Sequence, residues 1–472
     1  MSRADEIMER AARAASSFRS LNQKETDSVV RAVYLSAVAE RIRLAKLAHE
    51  ETGIGVWRHK VAKNFMATQL VYEDIKGQKT VGVITEDPRS GFIEVAQPIG
   101  PVLGFIPVTN PTATTIFKAL IAMKTRNPLI ISPHQAARRS ISAAAQACYQ
   151  AARQAGAPEH CIQWIEKPTP QITKALMTDS RLALILATGT ESLVRKAHTS
   201  GTPVLGVGPG NVPVYIGETA DIPFAVGCIL ESKTFDNGSV CASEQAVVVK
   251  KAVAPQVIEE FKQYGAYFLN PDQIERVSRI AFDRERGTMT ASIVGQSVSR
   301  IAAMAGIEVP KNTILLVASL AGVGPDFPLS AEILAPILAF YVEEDFDSAI
   351  RRSSEILRYG GTGHTAVIYS NTDERIEYFS KALDAGRILV NMPSTHGALG
   401  GIYNTLNPSF TLSCGSGGHN ITTDNITARH LLNIHRITRR RPNPRWLSFS
   451  KMLLYDESAP AERLESAFGR NY

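Results

Sequence analysis

The segment VLGFIPVTNPTATTIFKALIAMKTRNPLIISP, residues 102–133, contains the pattern that decides the fold. Apolar runs at 102–107 and 129–131 predict two short buried strands, and residues 112–123 between them place apolar side chains at helical spacing. The same patterns continue outward, in strands at 92–97, 162–166 and 182–187 and in helices at 135–155, 170–178 and 191–200. This alternation with short connections predicts a parallel doubly wound sheet, which binds dinucleotides at the carboxyl ends of its strands.

The rest of the chain also follows an α/β pattern. Helical spacing opens the chain, at residues 4–21, 25–52 and 61–75. After a Gly- and Pro-rich stretch at 206–213, a second series runs from 224 to 391, with apolar strands at 245–249, 313–317 and 365–369. We therefore predict a second α/β domain. From residue 393 the chain is rich in Gly, Ser, Thr and Asn and then in basic residues.

Composition excludes several classes of protein. With 472 residues, 44% hydrophobic and 20% charged, the chain has the profile of a globular protein. Its apolar runs are far shorter than the roughly 20 residues of a membrane helix, and its N-terminus lacks the apolar core of a secretory signal. We expect a cytoplasmic protein. The net charge of +6, much of it from arginines after residue 435, suits anionic small ligands or nucleic acid, although a solvated basic tail explains it equally simply.

Cysteine usage points to a working thiol. Five scattered cysteines without a CxxC pair argue against a disulfide framework and a zinc site. Cys241 lies in SKTFDNGSVCASEQAVVV, between an Asn237-Gly238 turn and a strand that begins near Gln245. A thiol on such a loop can be exposed and held by backbone donors, which lowers its pKa and makes a nucleophilic thiolate. A buried inert thiol is the alternative.

Seven ordered motifs resemble one enzyme family. They are TNPT (109–112), IFKALIAMKTRN (116–127), ATGT (187–190), GVGPGN (206–211), SKTFDNGSVCASEQ (232–245), GHTA (363–366) and NPSFTLSCGS (407–416). Together they resemble the CoA-acylating branch of the aldehyde dehydrogenase superfamily, both stand-alone enzymes and the aldehyde dehydrogenase half of bifunctional aldehyde/alcohol dehydrogenases. The resemblance implies a Rossmann-type cofactor domain within 1–215, a catalytic α/β domain at 216–392, and a C-terminal segment at 393–472 with a small oligomerisation arm. It also implies a homodimer or homotetramer.

The resemblance also assigns chemistry. Cys241 matches the nucleophile that attacks the aldehyde to give a thiohemiacetal, and Asn110 matches the asparagine that donates to its oxyanion. Hydride transfer to a nicotinamide then leaves a thioester on Cys241. The stretch VLGVGPGN places Val207 or a nearby glycine where hydrolytic relatives have a water-activating glutamate, so the thioester should wait for CoA. The alternatives are that Glu244 or Glu332 replaces that base. His364 is a candidate for moving the CoA thiol proton, because histidine titrates near working pH.

Cofactor contacts are implied at three places. The turn of Thr188, Gly189 and Thr190 precedes a helix whose backbone N–H groups could meet a pyrophosphate. Glu332 matches the glutamate that binds the nicotinamide ribose, although Leu334 replaces the phenylalanine of hydrolytic members. The third place is the adenosine turn, with Ser132, His134 and Gln135, followed by Arg138 and Arg139. Because Gln135 lacks the negative charge that repels a 2′-phosphate, the turn favours NADP, with NAD as the alternative.

The aldehyde is less defined by the sequence. Polar residues in the C-terminal segment suggest a clamp for a small anionic aldehyde, with sulfoacetaldehyde preferred to succinate semialdehyde; they are Thr395, His396, Gly397, Asn404, Thr405 and Ser409. Acetaldehyde or propanal, a hydrolytic semialdehyde dehydrogenase and a non-catalytic scaffold are the alternatives. We expect no metal, nucleic-acid or membrane partner. The first helix belongs to the fold in our interpretation, and a microcompartment tag is its alternative.

Overall fold

The computed structural model describes residues 2–89 and 91–469. The helices are α1 (Arg3–Phe18), α2 (Gln23–Thr52), α3 (Trp57–Phe65), α4 (Val71–Ile75), α5 (Pro111–Lys124), α6 (Arg138–Gln154), α7 (Pro170–Met177), α8 (Glu191–His198), α9 (Ile222–Thr234), α10 (Ala254–Gln263), α11 (Pro271–Ala281), α12 (Val298–Ala305), α13 (Phe346–Arg358), α14 (Asp373–Ala382), α15 (Ser394–Leu399), α16 (Pro444–Ser448), α17 (Lys451–Leu454) and α18 (Ala461–Gly469). The strands are β1 (Gly82–Asp87), β2 (Phe92–Pro98), β3 (Val102–Ile106), β4 (Leu129–Pro133), β5 (Ile162–Trp164), β6 (Leu184–Thr188), β7 (Val204–Val207), β8 (Val212–Ile216), β9 (Glu244–Lys250), β10 (Ala266–Phe268), β11 (Phe282–Asp283), β12 (Thr288–Met289), β13 (Leu315–Ser319), β14 (Ile337–Glu343), β15 (Gly363–Tyr369), β16 (Ala385–Val390) and β17 (Leu432–Thr438).

The chain forms two compact units, one from residues up to 78 with 98–432, the other from 79–97 with residues from 433 onward. The first unit holds two parallel sheets. Five strands are ordered β5-β4-β3-β6-β7, and seven are ordered β10-β13-β14-β9-β8-β15-β16. Strands such as β3 and β4 are buried along their whole length, which explains their unbroken apolar sequences. The predicted α/β class with Rossmann-type sheets is confirmed.

The five-stranded sheet positions the site. The chain passes from β3 to β4 on one side of β3 and later from β5 to β6 on its other side. The strand order therefore reverses between β3 and β6. Ligands of such sheets bind at this reversal, at the carboxyl ends of the strands. Helix α5 is buried along its whole length and begins with Pro111 at that edge of the sheet. Residues 109–110 and 188–190 therefore meet at one end of the sheet.

Several predicted elements differ in detail. The helix expected at 61–75 consists of α3, a π-helical turn at Met66–Leu70 and α4. The helix expected at 135–155 begins with a 3₁₀ turn at Gln135–Ala137. The Gly- and Pro-rich stretch includes the end of β7 and the start of β8, two strands that were not predicted. Since β7 ends one sheet and β8 lies in the other, only residues 208–211 connect the two sheets.

The second unit contains the three-stranded sheet β1-β2-β17 and three short helices, α16 to α18. Within it, Arg436 forms an ion pair with Glu94 at 3.2 Å, so part of the basic tail is used in its own unit. In the described ranges, no helix is both long and apolar enough to span a membrane. The same residues contain no cluster of three or more acidic, histidine or cysteine side chains suited to a metal ion. The oligomerisation role of this unit stays a prediction.

Candidate active site

Cys241 follows a tight turn and precedes β9. In that turn Asp236 and Asn237 adopt left-handed backbone angles, with φ of +51° and +54°. A Cβ on the next residue, Gly238, would lie 2.7 Å from the carbonyl oxygen of Ala335, so only glycine fits there. Cys241 is partly exposed, whereas the other four cysteines are buried. The predicted Asn-Gly turn thus leads to a cysteine that is less buried than the other four.

A small cavity of about 30 Å³ opens onto this thiol. Its lining comes from both sheets and from the C-terminal part of the first unit, and consists of Asn110, Thr188, Val207, Val240, Cys241, Leu399, Phe410 and Leu412. A cavity of this size holds one or two water-sized molecules. The structure therefore brings the predicted nucleophile, Cys241, and the predicted oxyanion donor, Asn110, to one small, mostly apolar space.

The ionisation of Cys241 departs from the prediction. Burial, with the negative charge of Glu332 next in importance, raises the pKa of the Cys241 thiol to about 12, although the Arg387 cation opposes this. The prediction of a lowered pKa is wrong for the unliganded protein, because backbone donation is the weakest of these effects. The neutral thiol is therefore the resting form.

The position predicted for the hydrolytic base, at Val207 or a nearby glycine, stays a prediction, and Val207 itself is apolar. Val207, at the end of β7, is 2% exposed and lines the cavity beside Cys241. Of the two alternative bases, Glu332 accepts the Gly210 N–H at 2.8 Å and Glu244 accepts the Ser394 N–H at 2.8 Å. Burial raises the pKa of each carboxyl to about 7. Among the described residues that line the cavity, none is acidic.

The ring of His364 and the backbone of Cys241 both lie close to Gly210. A Cβ on Gly210 would lie 2.2 Å from the Cys241 carbonyl oxygen and 3.2 Å from His364 Cδ2. His364 is buried; its Nδ1 lies 3.0 Å from Thr365 Oγ1, and its Nε2 has no hydrogen-bond partner among the described residues. Burial, followed by the charge of Arg387, lowers the pKa of His364 to about 3. The expectation that it titrates near working pH is therefore wrong, and the imidazole is neutral.

Arg387 was not singled out from the sequence, although it is buried within the apolar strand β16. Its guanidinium donates to the carbonyl oxygens of His364, Ser413 and Thr423 at 2.9–3.0 Å. These bonds tie β15 to the segment that follows the cavity residue Leu412. Arg387 is a cation whose charge favours ionisation of Cys241, and it holds His364 in place.

The predicted pyrophosphate turn lies at the strand reversal. Thr188 ends β6, and its Oγ1 accepts a hydrogen bond from the buried ammonium of Lys118 at 3.1 Å. Thr190 caps α8, its side chain accepting from the Leu193 N–H at 3.4 Å. The backbone of residues 188–190 thus leads directly into a helix N-terminus, which suits a phosphate.

The predicted adenosine turn contains a carboxylate that the sequence did not indicate. Ser132 is buried in β4, and His134 Nδ1 accepts from the Ala136 N–H at 3.2 Å. From α2, Glu51 accepts the backbone N–H groups of Arg139 and Ser140, each at 2.7 Å. Glu51 therefore occupies the first turn of α6, one turn beyond Gln135.

The predicted anionic clamp is not formed. Thr395 N–H donates to Ser232 Oγ at 2.8 Å, Asn404 Nδ2 donates to the Gly397 carbonyl at 2.8 Å, and Ser409 Oγ donates to the Thr411 carbonyl at 2.9 Å. His396 faces Glu231 at 3.3 Å, and Thr405 is exposed. The bonds of Thr395, Asn404 and Ser409 brace the backbone, and no cation is among the described residues that line the cavity.

Comparison with known proteins assigns the family. The model of the aldehyde dehydrogenase family matches residues 1–404. The chain belongs to the aldehyde dehydrogenase family, and the predicted resemblance is confirmed. It is 42% identical over 453 residues to the bifunctional aldehyde-alcohol dehydrogenase AdhE of Escherichia coli, covering 95% of this chain but 51% of AdhE. The chain spans about half the length of that relative.

Two further relatives are matched over most of their length. The crystal structure of an acetylating aldehyde dehydrogenase from Geobacillus thermoglucosidasius is 44% identical with a TM-score of 0.90, covering 93% of this chain and 97% of that one. A sulfoacetaldehyde dehydrogenase of an Acholeplasma species is 34% identical over 417 residues, covering 87% of this chain and 86% of that protein.

Proposed function

We propose that the chain is a CoA-acylating aldehyde dehydrogenase. In this reaction an aldehyde, CoA and NAD(P)⁺ give an acyl-CoA, NAD(P)H and a proton. The position of Val207 carries the proposal, since it puts an apolar side chain beside Cys241, in the stretch where the resemblance expects hydrolytic relatives to have a glutamate. Without a carboxylate to activate water, a thioester on Cys241 persists until a thiol arrives.

The chemistry follows from the residues around the cavity. Cys241 Sγ releases its proton to solvent and forms a bond to the aldehyde carbon, and the resulting oxyanion accepts hydrogen bonds from Asn110 Nδ2 and the Cys241 N–H. The Thr188–Thr190 turn and Glu332 would hold a nicotinamide dinucleotide, which would supply the hydride acceptor. Cys241 is left as a thioester. The CoA sulfur attacks its carbonyl carbon, the bond to Cys241 breaks, and the CoA thiol proton passes to the departing Cys241 sulfur. His364 is neutral and its Nε2 is available, so we assign it as a hydrogen-bond acceptor for the CoA thiol.

The cofactor turns support NAD rather than the NADP that Gln135 suggested. The dinucleotide would lie over the Thr188–Thr190 turn, with Glu332 near the nicotinamide ribose. At the adenosine end, the Glu51 carboxylate occupies the N–H groups that a 2′-phosphate would need and adds a like charge. Glu51 thus supplies the negative charge that Gln135 lacks.

The cavity lining supports a small uncharged aldehyde such as acetaldehyde or propanal. Val207, Val240, Leu399, Phe410 and Leu412 surround the thiol with apolar surface. A sulfonate or carboxylate buried there would lack a cationic partner, which is costly. A homodimer or homotetramer and a cytoplasmic location stay predictions.

The test is an assay with and without CoA. With acetaldehyde and NAD⁺, acyl-CoA formation is expected to depend on CoA, and Cys241→Ala should abolish it. Undiminished turnover without CoA, with free acid as product, would contradict the proposal. A lack of turnover with acetaldehyde, propanal, sulfoacetaldehyde and succinate semialdehyde would favour the non-catalytic scaffold.

A further inference from the structure

A buried cluster of charges lies behind Asn110. It consists of Lys60, Lys63, Asp236 and Ser239, which we call the Asp236 cluster. Asp236 Oδ2 accepts from the ammoniums of Lys60 at 2.9 Å and Lys63 at 2.5 Å, and from Ser239 Oγ at 2.8 Å. Both lysines come from α3, whereas Asp236 belongs to the turn that presents Cys241. The cluster therefore joins an N-terminal helix to the nucleophile turn.

Lys63 also contacts the proposed oxyanion donor. Its Nζ donates to Asn110 Oδ1 at 2.7 Å, whereas Lys60 reaches only the main-chain oxygen of Thr109, at 3.4 Å. An ammonium has donors and no acceptor, so the amide atom that faces it must be the oxygen. Asn110 Nδ2 has one long contact, 3.3 Å to Thr109 Oγ1. The amide NH₂ is therefore the part of Asn110 left to donate into the cavity.

The position of Asn110 makes this contact unusual. Asn110 is the N-cap residue of α5, where an asparagine side chain ordinarily accepts a helix N–H, yet it makes no such bond. Its oxygen goes to Lys63 instead. A favourable local bond has been exchanged for a tertiary contact that fixes which end of the amide faces Cys241.

We propose that Lys63 is a positioning residue that holds the Asn110 amide with Nδ2 toward the carbonyl oxygen of the aldehyde. This inference rests on the proposed function. Through Asp236, the same ammonium ties Asn110 to the turn that carries the nucleophile, so donor and thiol keep their separation.

The test is a double-mutant cycle in the full-length protein, read by the pre-steady-state burst of NADH and by kcat and KM. Lys63→Met should lower the burst rate by about tenfold or more, approaching the 10²–10³-fold typical of a lost oxyanion donor, and change the aldehyde KM by less than about threefold. Lys60→Met is the matched control. It removes an equal charge from the same carboxylate but leaves the Lys63–Asn110 bond, and its burst rate should stay within about threefold of wild type.

The combination with Asn110→Ala decides the mechanism. If Lys63 acts through Asn110, Lys63→Met in the Asn110→Ala background should cause no further loss. Losses that multiply, or an equal loss in Lys60→Met, would overturn the inference. Should Lys63→Met fail to fold by circular dichroism, the cycle is run with Lys63→Gln. That amide can still donate to Asn110, so intermediate activity is expected, and a folded Lys63→Gln protein with no burst would refute the role. Full activity in Asn110→Ala alone would instead refute the proposed oxyanion chemistry.

Discussion

Substitution of Glu51 tests the proposed preference for NAD. Glu51→Gln removes the negative charge from the first turn of α6 while keeping the shape of the side chain. The carboxylate now accepts two backbone N–H groups at 2.7 Å, from Arg139 and Ser140. Those groups lie about four residues beyond Gln135, the residue assigned to the adenosine ribose. The 3₁₀ turn at Gln135–Ala137 rises about 2 Å per residue and α6 about 1.5 Å per residue, so this separation is roughly 6 to 7 Å.

The magnitude follows from Coulomb's law. At roughly 6 Å and an effective dielectric constant of about 40, two unit charges interact by about 1.4 kcal/mol, and a phosphate carries more than one charge. Screening over a Debye length of about 8 Å reduces this by roughly half. The Glu51 charge should therefore disfavour NADP by on the order of 1 to 1.5 kcal/mol, roughly a five- to tenfold effect.

The assay compares kcat/KM for NAD⁺ and NADP⁺ at fixed acetaldehyde and CoA. Wild type should prefer NAD⁺, and Glu51→Gln should raise the NADP⁺/NAD⁺ ratio by roughly five- to tenfold, with a smaller gain at high salt. Glu50→Gln is the control, because Glu50 is its exposed neighbour and carries the same charge. A wild-type preference for NADP⁺, or an equal shift in Glu50→Gln, would refute the reasoning.

Two further predictions concern the cavity. The first uses the free protein in a variant that keeps Cys241 as its only cysteine. Because burial raises the pKa of Cys241 to about 12 and the thiolate is the reactive form, its rate of alkylation by iodoacetamide should rise about tenfold per pH unit from pH 7 to 10. A rate that reaches a plateau below pH 8 would contradict this. The second is that Phe410→Ala should enlarge the apolar cavity and raise kcat/KM for butanal relative to acetaldehyde by roughly tenfold. An unchanged ratio would show that Phe410 does not contact the substrate.

Much of the fold was predictable because its strands are buried on both faces. Strands such as β4 and β15 therefore appear in the sequence as short apolar runs, and the helices between them keep their apolar spacing. The strands β7 and β8 were missed because Gly206, Gly208, Pro209 and Gly210 interrupt the pattern at the passage between sheets. Glycine is required there because Gly210 packs against the Cys241 carbonyl, a contact that no local rule reveals.

The candidate site was likewise predictable from the sequence only in part. Motifs located Cys241, Asn110 and Val207, which the structure places in one cavity. The ionisation states were mispredicted for Cys241 and His364, because a pKa depends on burial and on charges that arrive from distant parts of the chain. Glu51 and Arg387 act through contacts across tens of residues of sequence, so nothing near them in the sequence indicates a role.

Helix α3 shows which signal could have found the Asp236 cluster. In α3 the expected burial is inverted, since Lys60, Lys63 and Asn64 are at most 3% exposed whereas Phe65 is 43% exposed. Apolar periodicity alone would turn this helix the other way. The inversion is stable only because polar partners meet each group, including Asp236 for the lysines and Thr112 Oγ1, which donates to Asn64 Oδ1 at 2.7 Å. Thr112 lies in the first turn of α5, so the same face of α3 fixes both the start of that helix and the amide of Asn110. A short helix that buries its lysines and exposes its phenylalanine is therefore a structural sign of a site, because buried ammonium groups are stable only where they meet partners.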